Sequence, residues 1–312
     1  MCNLGIKEFT FFINLTIMEI IKENMLNVIV NPYAGGNLAR KNIKKISKYL
    51  KKEKIAYLVY FSEKNTDIEE YASNLFKSGE KEFVLVGGDG TIHKFINAIP
   101  DLSKVNIGII PSGKHNNFAK STGLEFNPVK AIQNILNEKL EKFDYLTCGK
   151  IAICNSISLG FIENVKHALL RDNKTRNINL FDCLKYLKNY QPIQLNFSGS
   201  DIKEKNINVQ ECYICNGNGH GNLPVSPLSN PQDGLTNVIC ITKKGDKTSL
   251  NEYLKIRRGK HIYDEQNKTF WSGEFTFTSS EMPAKAEIDG ELYELDNLSI
   301  KTIEGGLNIY VE

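Results

Sequence analysis

Short apolar runs and amphipathic stretches alternate through the first part of the chain. Asn27-Val28-Ile29-Val30, Tyr57-Leu58-Val59-Tyr60, Phe83-Val84-Leu85-Val86 and Val105-Asn106-Ile107-Gly108-Ile109-Ile110 are rich in β-formers and read as strands. Helical spacing fills the intervals. Ile43, Ile46 and Leu50 follow the first strand, and a helix from about Asp67 to Lys77 follows the second. After the third, Ile92, Phe95, Ile96 and Ile99 fall at i, i+3, i+4 and i+7, with Thr91 as the expected N-cap. A short helix is expected near Asn117. Asn127-Pro128 then provides a cap and first position for a helix whose stripe is Val129, Ile132, Ile135 and Leu136. Strand and helix in alternation, down to about residue 142, imply a parallel sheet with crossover helices.

Beyond Phe143 the texture changes. Strand-like runs at 143–147, 150–158, 193–198, 207–215, 236–242, 269–278, 284–288, 291–295 and 298–302 are separated by turn signals. Helical patterns remain only near 161–172, 179–190 and 249–258. Asp289-Gly290 between two alternating runs is a hairpin signal. The expected organisation is an α/β domain over 26–142 and a mainly antiparallel β domain over 143–312. Residues 1–25 read as a leader extension, with Met18 or Met25 as alternative starts. Their apolar stretch, Phe9 to Ile17, is too short to span a membrane and lacks a following cleavage site, although an interfacial anchor is a second reading.

Composition narrows the class. A chain of 312 residues suggests about two domains, and 41% hydrophobic with 24% charged residues describes an ordinary globular protein. A net charge of +3 gives no field for nucleic acid, so none is expected as a partner. The seven cysteines are scattered in apolar runs, which fits a reducing, cytoplasmic setting. Cys212 and Cys215 fall three apart on a predicted strand and so face opposite ways, against joint chelation. Lys41, Lys44, Lys45, Lys48, Lys51 and Lys52 surround the first helix; a solvated face is the plainer reading, attraction to an anionic membrane the other.

Three glycine-bearing turns follow strand ends: Asn31 to Asn37, Gly87-Gly88-Asp89-Gly90-Thr91, and Pro111 to Asn117. In a parallel sheet they share the carboxyl edge, where ligands sit. Glycine lets backbone approach a ligand, and a helix N-terminus offers N–H groups to phosphate. Asp89, set between glycines, suits a magnesium ion directly or through water.

These residues resemble the diacylglycerol kinase catalytic family, the soluble lipid kinases that include the sphingoid-base and ceramide kinases. Asn31-Pro32 with Gly35-Gly36 looks like its first loop, Gly87 to Thr91 like its signature, and Pro111, Gly113, Asn116, Phe118 and Ala119 like its third loop. Asn216-Gly217 through Pro231-Gln232-Asp233-Gly234-Leu235 and Ile288-Asp289-Gly290-Glu291 match its later motifs. The resemblance implies an α/β nucleotide-binding domain, a β-sandwich domain, and an active site in the cleft between them. It implies transfer from ATP, with Mg²⁺, to a lipid hydroxyl of a diacylglycerol-like or sphingoid acceptor.

Carried over residue by residue, nucleotide binding falls to Asn31, Gly35, Ser62, Gly87, Gly88, Asp89, Gly90, Thr91, Gly113, Lys114 and Asn116. The general base falls to Asp289 or Glu291, undecided between them; a type I′ turn alone is the other reading of Asp289-Gly290. Metal ligands are Asp89 and, for an additional site, Asp233 with the carbonyls of Asn230 and Leu235, against a plain β-turn there. The expected partners are a lipid at a membrane surface, with peripheral attachment and a homodimer both admitted.

Departures are Ala34 for a usual Ser, Lys94 for an acid, and Gly113-Lys114-His115-Asn116-Asn117 where Gly-Thr-Gly-Asn-Asp is usual. They leave a catalytically weakened nucleotide- or lipid-binding protein as one alternative. An NAD kinase, which shares the glycine signature, is the other; the third loop and the late acidic motif argue against it.

Overall fold

A computed structural model describes residues 25–63, 67–171, 190–199, 202, 206–242, 254–280, 282–296 and 298–312. Four strands, β1 (Leu26–Val30), β2 (Tyr57–Phe61), β3 (Glu82–Gly87) and β4 (Asn106–Pro111), pair in parallel in the order β2-β1-β3-β4. Their crossovers carry α1 (Ala34–Lys52), α2 (Asp67–Lys77) and α3 (Asp89–Ala98); α4 (Asn117–Ser121) and α5 (Pro128–Leu136) follow β4.

Burial on both faces accounts for the unbroken apolar runs of β1, β3 and β4, whereas β2 is a half-exposed edge. Val28 and Val30 pack with Ile43, Ile46 and Leu50 of α1 and Ile132 and Ile135 of α5. Ile29 turns the other way, onto the cluster with Ile68 of α2 and Phe95 and Ile96 of α3. The start of α5 is as its sequence predicts: Asn127 Oδ1 accepts from Val129 N and Lys130 N at 3.0 and 3.4 Å, with Pro128 in the first turn. That cap contributes about 1 kcal/mol.

The remainder is antiparallel and β-rich: β5 (Leu140–Cys148), β6 (Ile151–Ile153), β7 (Ser156–Gly160), β8 (Ile193–Gly199), β9 (Ile207–Cys215), β10 (Thr236–Thr242), β11 (Lys268–Ser272), β12 (Glu274–Ser279), β13 (Ala284–Ile288), β14 (Glu291–Leu295) and β15 (Ser299–Tyr310), with α6 (Phe161–Arg171) after β7. The last strand joins the two regions. It runs antiparallel to β5 from Ile300↔Cys148 to Tyr310↔Leu140, and pairs in parallel with β4 at Asn308 and Ile309. One sheet therefore continues from the hairpin β13–β14 to β2.

Three predicted runs differ from the strands observed. Cys154-Asn155 divides 150–158 into β6 and β7, because backbone N–H groups there turn onto a buried carboxylate. Gly273 divides 269–278, its carbonyl accepting from Thr302 N at 2.7 Å. The final run reaches 310 because Gly305-Gly306, a turn signal in sequence, forms an irregularity within the β5–β15 ladder instead. Cys212 and Cys215 do face different clusters. The leader expectation lies outside the described residues except for Met25, as do the helix expected at 179–190, save its last residue, and the first part of the one at 249–258, where 254–257 are helical.

Candidate active site

The three glycine turns meet at the carboxyl edge of the parallel strands. A Cβ on Gly88 would stand 2.6 Å from the Cα of Gly113, and one on Gly113 2.4 Å from the Cα of Gly88. Only two glycines permit that approach. Gly35 lies against the same place, where its Cβ would be 2.4 Å from Ser112 O, and Ser112 N donates to Gly87 O at 2.7 Å. The first turn is wound left-handed, with φ of 57°, 63° and 74° at Gly35, Gly36 and Asn37. Asn31 ties it to the signature: Oδ1 accepts from Tyr33 N at 3.2 Å and Nδ2 donates to Thr91 Oγ1 at 3.4 Å. Asn31, Gly35, Gly87, Gly88, Thr91, Gly113 and Asn116 are thus brought together. Ser62, at the end of β2, is buried, its amide donating to Val30 O at 3.0 Å.

Thr91 is not the helix cap. Gly88 holds that position and α3 begins at Asp89. The side chain of Thr91 folds back over Gly87, where a Cβ would come within 2.2 Å of its Oγ1. The missing side chain at Gly87 therefore lets Thr91 bury and reach Asn31.

Asp89 faces the third turn. Its two carboxylate oxygens accept from Asn117 N and Phe118 N, each at 3.0 Å, at the start of α4. Burial pushes its pKa up against those two amides, and the nearby Asp289 charge adds to the rise. Asn116 closes the turn, Oδ1 accepting from Gly113 N at 2.7 Å and Nδ2 donating to Gly113 O at 3.1 Å. Lys114 is exposed and Lys94 half-buried; neither forms an ion pair among the described residues.

The third turn also holds the second region. His115 Nδ1 pairs with Asn222 Oδ1 at 2.7 Å, Ser121 Oγ donates to Asn218 Oδ1 at 3.0 Å, and the Asn117 amide, oriented to satisfy both contacts, donates to Gly221 O at 2.9 Å and accepts from Gly221 N at 3.1 Å.

Across the cleft, the hairpin Asp289-Gly290 turns with φ of 49° and 95°, as a primed turn requires. The Asp289 carboxylate points inward, fully enclosed. Oδ1 accepts from Asn155 N and Ser156 N at 2.9 and 3.0 Å; Oδ2 accepts from Cys154 N at 2.9 Å and meets His93 Nδ1 at 3.1 Å. His93 Nε2 lies 2.7 Å from Tyr293 Oη. Glu291 stands at the signature turn, where a Cβ on Gly90 would be 3.7 Å from its Oε1. Sequence reasoning passed over His93 and the amides of 154–156. His93 sits between Ile92 and Lys94 with no motif to mark it.

The turn proposed for an additional metal is tied down by a residue the sequence reading missed, Asp144. It accepts from Gly234 N at 2.8 Å and Gly305 N at 2.7 Å. Asp233 is exposed and accepts from Leu235 N at 3.0 Å; burial of the carboxyl and the Asp144 charge raise its pKa. Asn230 is exposed on the same turn.

A separate group, Glu163, His220 and Glu287, offers ligand atoms within 4.8 Å of one another. Lys166 already supplies the cation there, bonded to Glu287 and 3.8 Å from Glu163 Oε1. Burial and the Glu163 charge push the Glu211 carboxyl well up. The Oε2 atoms of Glu163 and Glu211 are buried and have no hydrogen-bond partner among the described residues.

A family model of the diacylglycerol kinase catalytic domain matches residues 25–148. A Staphylococcus epidermidis protein named Putative lipid kinase SERP0390 is 30% identical over 246 residues, 74% of this chain and 78% of its own. Putative lipid kinase YtlR of Bacillus subtilis is 23% identical over 289 residues, 85% and 92% of the two chains. A crystal structure of a diacylglycerol kinase from Bacillus anthracis superposes with a TM-score of 0.71 at 19% identity, covering 93% of this chain and 97% of that one. At that identity the likeness concerns the fold.

Proposed function

Because this chain belongs to the lipid kinases built on the diacylglycerol kinase catalytic domain, we propose that it transfers the γ-phosphoryl group of ATP to the hydroxyl of a diacylglycerol-like or sphingoid lipid. The observation that carries the reading is the contact of Gly88 with Gly113, flanked by Gly35, at the carboxyl edge of the sheet. Three turns without side chains at their meeting point leave backbone N–H groups for phosphate oxygens. Phosphoryl transfer depends chiefly on such positioning and on charge neutralisation. Lys114, exposed on the third turn, adds a point charge for the phosphates.

Mg²⁺ fits the donor set. Each Asp89 oxygen accepts one amide bond, so lone pairs remain, and its buried charge is one that a cation would relieve. When bound there, the ion would neutralise charge on the transferring group. Asn230, Asp233 and Leu235 would hold a second ion through one carboxylate and two carbonyls, with structural weight only. The acceptor hydroxyl lies against the hairpin β13–β14, between Glu291 and the signature turn.

A lipid acceptor calls for work at a membrane surface. No helix among the described residues is long and apolar enough to cross one. Lys44, Lys48 and Lys51 border an apolar hollow with Ile43 and Phe61, which suits peripheral attachment to anionic lipid. The deciding experiment is transfer from labelled ATP into micellar diacylglycerol, monoacylglycerol, ceramide, sphingoid base and polyprenol, with NAD alongside. A labelled lipid supports the reading; labelled NAD, or no product with ATP still bound, refutes it.

A further inference from the structure

We propose that the proton of the acceptor hydroxyl leaves through a relay of Tyr293, His93 and Asp289, in which Tyr293 meets the acceptor and the enclosed carboxylate never does. The inference rests on the kinase reading above and assigns the proton's route within that site.

Asp289 is poorly placed as a direct base. Its carboxylate is fully buried and holds four N–H partners, three of them backbone amides. Those donors occupy the lone pairs a substrate proton would need. The same carboxylate fixes its neighbour. An ionised carboxylate only accepts, so His93 carries its proton on Nδ1 and presents a lone pair at Nε2. At 2.7 Å, the Tyr293 phenol donates to that lone pair. Its own oxygen is thereby left able to accept. The order carboxylate, imidazole, hydroxyl is the one by which an alcohol is activated in hydrolytic triads.

Placement agrees. Glu291 and Tyr293 are two apart on β14 and share a face. That face lies along α3, with Glu291 beside Gly90 and Tyr293 on His93. Tyr293 is half-buried, whereas His93 and Asp289 are enclosed behind it. Burial, then the charges of Glu291, Asp289 and Glu69, hold the phenol protonated, the state in which it can pass a proton inward.

In the step, the acceptor O–H proton passes to Tyr293 Oη as the phenol proton passes to His93 Nε2. The freed electron pair on the acceptor oxygen forms the bond to the γ-phosphorus of ATP. The bond from that phosphorus to the β–γ bridging oxygen breaks, its pair leaving with ADP. Asp289 balances the imidazolium, which returns its proton to water by the same path.

The test uses the full chain with Tyr293→Phe, which keeps the ring and removes the relay oxygen. The expected result is a fall in kcat of about 100-fold or more with the KM for ATP unchanged. A wild-type proton inventory in mixed H₂O and D₂O should show two protons in flight, and Glu291→Gln should keep that curvature. A Tyr293→Phe enzyme within threefold of wild type, or curvature lost only in Glu291→Gln, overturns the relay. Nitrogen-15 NMR of His93 tests the geometry without turnover. Protonation at Nδ1, with an Nε2 shift that moves in Tyr293→Phe, upholds it, and protonation at Nε2 overturns it. If no lipid is phosphorylated, the kinase reading fails by assay while the spectrum still decides the relay.

Discussion

Asp289→Asn removes one charge and turns one acceptor oxygen into a two-proton donor, in a pocket built from donors. With the new amide at the Oδ1 position, the N–H groups of Asn155 and Ser156 both lose their acceptor. At the Oδ2 position it meets Cys154 N–H and His93. The second arrangement is the cheaper, because His93 can shift its proton to Nε2 and accept at Nδ1. One orphaned buried N–H remains, at about 1–3 kcal/mol. The bonds kept are no longer charge-assisted, which weakens each. The total is about 2–4 kcal/mol.

The assay is thermal and urea unfolding of the two proteins, with hydrogen exchange at residues 154–156. The melting temperature should fall by on the order of 5–10 °C. Exchange should quicken first at Cys154. ATP affinity should stay within about threefold, since no bond of Asp289 reaches the glycine turns. Turnover should also fall, because the shifted His93 proton blocks the relay. A variant as stable as wild type within about 0.5 kcal/mol, with turnover lost, would refute this reasoning and make the carboxylate a direct base.

Other consequences can be measured in the same way. Gly88→Ala places a Cβ 2.6 Å from the Cα of Gly113, so the turns must part; a loss of about 1–3 kcal/mol and of ATP binding by calorimetry is expected. Burial works to raise the Glu287 pKa, but His220 and Lys166 outweigh it and hold it at about 2, from an ordinary 4.5. A carboxylate depressed in this way contributes above its unfolded pKa and loses that contribution as the pH falls, here about 3 kcal/mol between about pH 4.5 and 2. Unfolding measured against pH should therefore show Glu287→Gln less stable than wild type at pH 6, with the gap closing toward pH 2. Reversing Lys44, Lys48 and Lys51 to Glu should abolish sedimentation with anionic vesicles at low salt and leave turnover on micelles unchanged; retained vesicle binding would show that another face docks.

Much of the fold was open to reading because its signals are local. β1, β3 and β4 are buried on both faces, so their apolar runs are continuous, and the intervening helices carry one stripe each. The meeting of the three turns followed from topology alone. The deep side of the site was closed to that reading. The donors to Asp289 lie 133 to 196 residues away in sequence. Asp289-Gly290 has to adopt positive φ as a turn, and the same residue serves as the anchor of a distant backbone loop. Its sequence signature is identical for either use. Asp144 is similar: an acid in the middle of β5, made structural by two glycine amides 90 and 161 residues on. Thr91 was misplaced for the opposite reason. Cap propensity is a local preference, and the space above Gly87, a tertiary fact, overrode it.

The altered third turn is the feature that most tempts a reading of weakened catalysis. Its geometry argues for an exchange of roles instead. Asp89, not a third-turn acid, is the anion at the start of α4, where two amides close on it. A second carboxylate at position 117 would stand next to Asp89 in a buried setting, where like charges oppose one another. Asn117 removes that conflict. It also does what an aspartate cannot, since its side chain donates to Gly221 O while accepting from Gly221 N. His115 adds a bond to Asn222 one residue further on. The turn that resembles a phosphate cradle on one side is thus a clasp on the other, joining the α/β region to the 217–222 loop. Two of its three departures, His115 and Asn117, fall at residues that make the clasp, while Gly113 and Asn116, which shape the cradle, are kept.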